Sequence, residues 1–288
     1  MIPSRPPIRA VRTCLLCASA ALWATLAGHA APNEGAIPNF APDSSTSWIP
    51  DRPAGDEFLP PLSGPGPVSS APNHPYIPNG QGQPTYRIAD LGNPILKPWV
   101  IERLKKVNDG VLAGRVPFAA KERCWPAGVP AFHVFRRVEL VYFIQTPKEV
   151  LIIHEADSQV RHVHMNVPHS AHPASSWYGE SVGRYEGSDL VVDTVGLNDK
   201  TLIDNYGTPH SDKLHVVERF KMVDGGKTLE VLITIDDPDA FNLSWSARQR
   251  FRRVTDRGPL MEEPCAENNF TYFGFDVMPI PTADKPDF

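Results

Sequence analysis

His215-Val216-Val217-Glu218-Arg219-Phe220-Lys221-Met222-Val223-Asp224-Gly225-Gly226-Lys227-Thr228-Leu229-Glu230-Val231-Leu232-Ile233-Thr234-Ile235-Asp236 spells two strands around a glycine turn. With Gly225-Gly226 as a two-residue loop, Met222 faces Leu229, Phe220 faces Val231, Glu218 faces Ile233 and Val216 faces Ile235. Strand side chains alternate, so these pairs share one face, which is apolar except for Glu218. The other face pairs Lys221 with Glu230 and His215 with Asp236. A one-residue slip would reverse the faces and lose the Lys–Glu match. Glu218 is therefore expected on the core side. A lone buried carboxylate costs several kcal/mol, so it must be paired or stay protonated. Two expectations follow: a Glu–Arg bridge bracing the fold, or a general acid or base with a raised pKa lining a cavity.

Working outward, further turns separate apolar runs at Gln145-Thr146-Pro147-Lys148-Glu149, Ala156-Asp157-Ser158-Gln159 and Glu186-Gly187-Ser188-Asp189. A last strand is expected over roughly Ser244 to Thr255. The chain is thus expected to be mainly β: about eight strands in an antiparallel meander or a calycin-like barrel. No strand–helix alternation implies a parallel sheet. One helix is expected from about Ile95 to Val107, with Leu96, Trp99, Val100, Leu104 and Val107 on one face and Asn108-Asp109-Gly110 as its stop. Residues 31–84 hold 13 of the 31 prolines, so they read as an extended arm without helix or ladder, disordered or wrapped over the domain, with Trp48, Phe58 and Tyr76 as anchors. Residues 85–288 form the single β-rich domain.

Residues 1–30 read as a secretory signal. Arg5, Arg9 and Arg12 precede an apolar run from Cys14 to Ala27 and the small-x-small site Gly28-His29-Ala30. The run is too short to span a bilayer, and no later segment is long enough, so no membrane insertion is expected and the location is periplasmic or secreted. The whole chain carries a formal charge of −5, and loss of three arginines makes the mature form more negative. That balance argues against nucleic acid or an anionic membrane as partner. Cys124 and Cys265 then remain, and an oxidising compartment favours one disulfide between them.

Two long polar connections, 166–180 and 196–212, break the short-turn pattern and carry His169, His172 and His210. Such loops are the expected mouth of a pocket. On 138–165 the alternation puts Glu155 with Leu140, Tyr142 and Ile153, with His162 and His164 on that face and His154 and Arg161 on the opposite one. His-x-His on a strand suits a metal, but no third ligand is evident, so neither metal nor cofactor is expected. Arg184 and Asp193 are diagonal neighbours and are expected to form a salt bridge. Gly179-Glu180-Ser181-Val182-Gly183 fits a nucleophile elbow, yet it runs into a hairpin rather than a helix, against a serine hydrolase. Asp199 and Asp204 read mainly as turn or capping residues.

The chain from Cys124 to Cys265, about half its length, resembles a family of exported bacterial β-rich proteins. The resemblance rests on Cys124-Trp125-Pro126-Ala127-Gly128-Val129-Pro130, Trp177-Tyr178-Gly179-Glu180-Ser181-Val182-Gly183-Arg184-Tyr185-Glu186-Gly187, Leu190-Val191-Val192-Asp193-Thr194, Pro209-His210-Ser211 and Leu214-His215-Val216-Val217-Glu218-Arg219-Phe220. It implies an exported β domain and carries no activity with it. The family pattern matches Arg161, His172, Asp193, His210, His215, Glu218 and Arg219. It differs at Tyr185, where Trp is usual, and at Val163-His164, where an Ile-Tyr-like pair stands.

Three functions are in view. The first is a cofactor-free acid–base enzyme (lyase, isomerase, hydratase or hydrolase) on a small, partly apolar organic substrate. Its catalytic candidates are Glu218, His215, His210, His172 and Asp193, with Arg161, Arg219, Glu155 and Trp177 binding substrate. The second is a lipocalin-like ligand carrier. The third is a structural envelope protein using its arm.

Overall fold

β-branched and aromatic residues at every second position, cut by turn residues, give strands whose inner faces must close over one another. The structure, a computed structural model, describes residues 37–51, 57–76, 87–117, 124–134, 140–156, 159–256, 261 and 265. Residues 1–30, Cys14 and Cys17 among them, were expected to form a secretory signal and lie outside the described residues. Among the described residues nine strands form a closed barrel. They are β1 (Ser47–Pro50), β2 (Val141–Gln145), β3 (Glu149–His154), β4 (Gln159–Met165), β5 (Glu180–Glu186), β6 (Asp189–Val195), β7 (His215–Val223), β8 (Thr228–Asp236) and β9 (Trp245–Val254). The fold is mainly β and calycin-like, as the turn spacing predicts. The β7–β8 register pairs Met222 with Leu229, Phe220 with Val231, Glu218 with Ile233 and His215 with Asp236. Each is the pairing read from the sequence.

Two features differ from a simple meander. β1 comes from the Pro-rich arm, which was expected to form no ladder. It lies antiparallel to β9 over four residue pairs and meets β2 through Trp48 and Val141 alone, completing the ring. Ser47, Trp48 and Ile49 carry amides there, and Pro50, which has none, is followed by Asp51, whose N–H donates to the Arg250 carbonyl at 2.8 Å. Trp48 and Phe58 are buried and Leu59 bridges to Arg248, so the arm wraps the barrel. The second departure is that β4 and β5 run parallel, joined by only three residue pairs, Val163–Ser181, His164–Val182 and Met165–Gly183. The long 166–179 connection gives the chain room to return to the same end before pairing.

Helix α1 runs Pro98–Leu112, past the predicted stop. Asn108 does not break it, because its amide exchanges two 2.9 Å hydrogen bonds with the backbone of Ala89. The left-handed residue beyond the helix is Gly114 (φ +81°), rather than Gly110. Val100 and Leu104 are buried, whereas Trp99 is partly exposed and donates its indole N–H to the Asp239 carbonyl. No helix among the described residues is long and apolar enough to cross a membrane.

Val141, Phe143, Val150, Ile152, Val163, Phe220, Val231, Ile233, Ala247 and Phe251 line the interior. A 3₁₀ turn, Ala131–His133, drives Phe132 and His133 into that interior. Gly128 permits its approach: it holds φ +75°, and a Cβ there would lie 2.5 Å from Thr201 Cγ2. Cys124, just before this turn, is bonded to Cys265 with Cα atoms 5.5 Å apart, the pairing expected from the cysteine count. The faces of 138–165 were grouped correctly, but Tyr142, Ile153, His162 and His164 lie on the outer face, where Leu140 and Glu155 are nonetheless buried, and Arg161 and His154 point in.

Candidate functional site

Two polar centres stand out, one sealed inside the barrel and one open on its outer face. The sealed centre begins with Arg161 on β4, whose guanidinium reaches over β5 and β6 to Glu218 on β7. Nη1 donates to Glu218 Oε1 at 3.0 Å and Nη2 donates to Oε2. On the way Nε donates to Ser181 Oγ at 3.1 Å and Nη2 to Thr194 Oγ1 at 2.7 Å. His133 Nε2 contacts Glu218 Oε1 from the plug turn. Exposure is 0% for Glu218, 1% for Arg161 and 3% for His133. Burial would push the Glu218 carboxyl up. The Arg161 charge and the His133 hydrogen bond outweigh it and hold the pKa at about 2. The raised pKa considered for an acid–base role is therefore corrected: Glu218 is an ionised, bidentately paired carboxylate. The pair braces the wall where the parallel β4–β5 ladder is short, which is the bridge expectation with its partner named.

Next to it the barrel keeps a small apolar void lined by Trp48, His133, Val141, Phe143, Ile152, Phe220, Leu229 and Phe251. It has room for about one water, far below the few hundred Å3 of a ligand pocket.

The open centre sits on the outer face of β5–β7. Asp193 Oδ1 accepts from His215 Nε2 at 2.9 Å and from His169 Nε2 at 2.9 Å. His169 Nδ1 meets Glu180 Oε1 at 3.0 Å, and the Ser170 amide donates to the same oxygen at 2.7 Å. Asp193 pairs with Val217 across β6–β7, which puts His215 on the diagonal of the same face, and loop 166–179 lays His169 over both. Partial burial works against the Asp193 charge, but the two imidazole hydrogen bonds prevail and lower its pKa. Ser170 lowers that of Glu180. Both nitrogens of His169 face carboxylate oxygens, so both bonds form together only on a doubly protonated ring. His215 is 38% exposed, and its Nδ1 has no protein partner among the described residues.

The other candidates are dispersed. Arg184 does not bridge to Asp193 as expected. It pairs with Glu186, which with Asp189 also takes Arg219, so Arg219 is held in a surface ion cluster. His210 is buried and its pKa lowered by that burial. Its Nδ1–H donates to the Ser211 carbonyl at 2.8 Å, leaving Nε2 to accept from Thr201 Oγ1 at 2.7 Å. It pins its loop. Asp204 accepts from the Thr208 hydroxyl and the amides of Tyr206 and Thr208, the turn role expected for it, with burial raising its pKa. Glu155 accepts from the backbone amides of Leu140 and Met261. His172 and Asp199 are exposed, and Trp177 stands 5.3 Å from Trp125, ring centre to ring centre. Ser181 is buried against Arg161 and Thr194, which removes the nucleophile elbow. Among the described residues no group of three or more His, Cys, Asp or Glu could hold a metal ion.

Sequence reasoning missed His133, which hides in the apolar run Ala131-Phe132-His133-Val134, and undervalued His169, seen only as part of a polar loop. No protein-family model and no curated protein matches the chain.

Proposed function

We propose that this is an exported acid–base enzyme acting on a small organic molecule, with its working centre on the outer face of β5–β7 rather than in the lumen. The observation that carries this reading is Asp193, an ionised carboxylate shared by two imidazoles and reachable by solvent. Asp193 fixes the His215 tautomer with its proton on Nε2 and leaves Nδ1 as the base. When Nδ1 takes a proton from water or from an activated C–H, the Asp193 charge stabilises the imidazolium, the role an aspartate plays behind a catalytic histidine. Such a base contributes about 10²–10⁴ in rate. Lyase, isomerase, hydratase and hydrolase reactions all suit it, and the flanking loops 166–179 and 196–214 supply walls for a substrate. Support for the outer location comes from the interior, where Phe132, His133 and the Arg161–Glu218 pair occupy the space a carried ligand would need. The secreted setting fits the signal-like segment 1–30, the acidic balance and the resemblance to an exported family.

The test incubates purified protein, disulfide intact, with small esters, lactones, epoxides and carbonyl compounds bearing an acidic C–H, and follows products by mass spectrometry. Turnover of at least one compound by the wild type, slowed about 10²-fold or more in His215→Gln at unchanged melting temperature, is expected. Turnover that survives His215→Gln, or none from the wild type on any compound, overturns the reading.

A further inference from the structure

We propose that His169, held between Glu180 and Asp193, is the positioning residue of the His215 base: a fixed imidazolium that clamps the Asp193 carboxylate and keeps His215 the neutral ring of the two. This deepens the reading of the outer face as the working centre and rests on it. The two imidazoles share one oxygen, yet their surroundings differ. His169 meets a carboxylate at both ring nitrogens, Glu180 Oε1 at Nδ1 (3.0 Å) and Asp193 Oδ1 at Nε2 (2.9 Å). An ionised carboxylate only accepts, so each contact is a hydrogen bond only when that nitrogen carries a proton, and the ring is then a cation. His215 meets a carboxylate at one nitrogen alone, Asp193 Oδ1 at Nε2 (2.9 Å), and its neutral tautomer satisfies that contact. The positive charge thus falls to the histidine with no nitrogen to spare, and the lone pair to the histidine with one. Unlike surroundings of this kind are how neighbouring titratable groups take separate roles.

The charge on His169 acts on Asp193 and on the loop. Alone, the Asp193 oxygen would favour an imidazolium at His215; shared with a cation it does so less, and Nδ1 stays open to substrate. The Ser170 amide donates at 2.7 Å to the same Glu180 oxygen that takes His169 Nδ1, so consecutive residues of loop 166–179 are tied to the first residue of β5. The other charged groups near the pair leave this division intact. Arg184 on β5 and Arg219 on β7 are engaged by Glu186 and Asp189. Lys213, two residues before His215, is engaged by Asp239 at 2.7 Å. Asp236, directly opposite His215 on β8, accepts from the Ser244 hydroxyl at 2.7 Å and acts on His215 alike whether or not His169 is charged. His169, Glu180 and Asp193 are 24%, 26% and 28% exposed, which keeps the assembly within reach of reagents in solution.

The experiment is carbethoxylation of the full-length, disulfide-intact protein by diethyl pyrocarbonate, which adds to an unprotonated imidazole nitrogen. Peptide mass spectrometry follows each histidine at about pH 6 and about pH 8, either side of the range in which histidine commonly titrates. In the wild type His215 is expected to react and His169 to resist. The readout is the ratio of the His215 rate at the lower pH to that at the higher. His169→Gln removes the charge, and the ratio should fall about 3-fold or more. Glu180→Gln, which leaves the ring without its second carboxylate, should lower it too. His169→Lys, which returns a cation to the same carboxylates, should restore it. A residue that merely held the loop down would, when lost, expose His215 and speed its reaction at both pH values, leaving the ratio unchanged. An unchanged ratio in both His169→Gln and Glu180→Gln, or His169 reacting as fast as the exposed His162 and His164, overturns the proposal. The two readings fail separately. An unchanged ratio alongside His215-dependent turnover sinks the clamp alone, whereas a lowered ratio without turnover on any compound sinks the enzyme and leaves the clamp standing.

Discussion

Replacing Arg161 by Met leaves the Glu218 carboxylate in the barrel interior with His133 as its remaining side-chain partner. Ser181 and Thr194 lose little, because their hydroxyls already bond each other at 2.9 Å. The main cost is the uncompensated charge. Removing one member of a buried ion pair costs about 3–5 kcal/mol, which at about 2–4 °C per kcal/mol for a domain of this size lowers Tm by roughly 6–20 °C. Glu218→Leu strands Arg161 in the same way and should cost as much. In the double variant Arg161→Met/Glu218→Leu no charge is stranded and the volume is filled. What remains is the His133 Nε2 donor without its acceptor, about 1–3 kcal/mol. The double variant should therefore be more stable than either single one. Urea and thermal unfolding at neutral pH, disulfide intact, measure all three. Single variants within about 1 kcal/mol of the wild type, or a double variant whose loss equals the sum of the singles, would refute the brace.

The same carboxylate sets an acid limit on stability. Its folded pKa of about 2 lies below the ordinary 4.5, so its contribution is complete above 4.5 and disappears as pH falls toward 2. The shift corresponds to about 3 kcal/mol, and the stability curve of Glu218→Gln should lack that acid-limb slope, as denaturant unfolding at stepped pH will show. Gly128→Ala should cost about 1–3 kcal/mol, since it puts a Cβ into Thr201 at positive φ; Gly128→Ala/Thr201→Ser, with a methyl removed, should recover part of that in the same melt. Reducing the Cys124–Cys265 bond, which spans 141 residues, should lower stability by about 2–5 kcal/mol. Intact mass with and without reduction and alkylation checks the bond itself, and two alkylatable thiols before reduction would contradict it.

Much of the barrel was legible because local rules agree with one another. The Asp224–Lys227 turn, the apolar alternation and the Lys221–Glu230 match fix one register, and that register alone turns Glu218 inward. The β1 strand was not legible, because prolines around Ser47–Pro50 hide four residues that pair only once β9 presents an open edge. The parallel β4–β5 pairing depends on how loop 166–179 folds, which no local pattern encodes. For the site, sequence could nominate Asp193 and His215 only separately, the one beside Arg184 in the 181–195 hairpin and the other opposite Asp236. It could not show that His169, 24 residues before Asp193, comes to rest on the same oxygen. Nor could it name the partner of Glu218. Arg161 lies 57 residues away and crosses two strands to reach it, a distance set by barrel curvature rather than by spacing. The 138–165 hairpins show the same limit: alternation grouped the faces, but without the closed ring nothing said which of them was inside.

The functional reading turns on one proton. Nitrogen-15 NMR of the labelled protein at neutral pH, correlating ring nitrogens with carbon-bound hydrogens, reports the tautomer of His215 directly. The proton is expected on Nε2, facing Asp193, with Nδ1 bare and a lone pair free for substrate. A proton on Nδ1 with Nε2 bare, or a spectrum unchanged by Asp193→Asn, would contradict the proposed base.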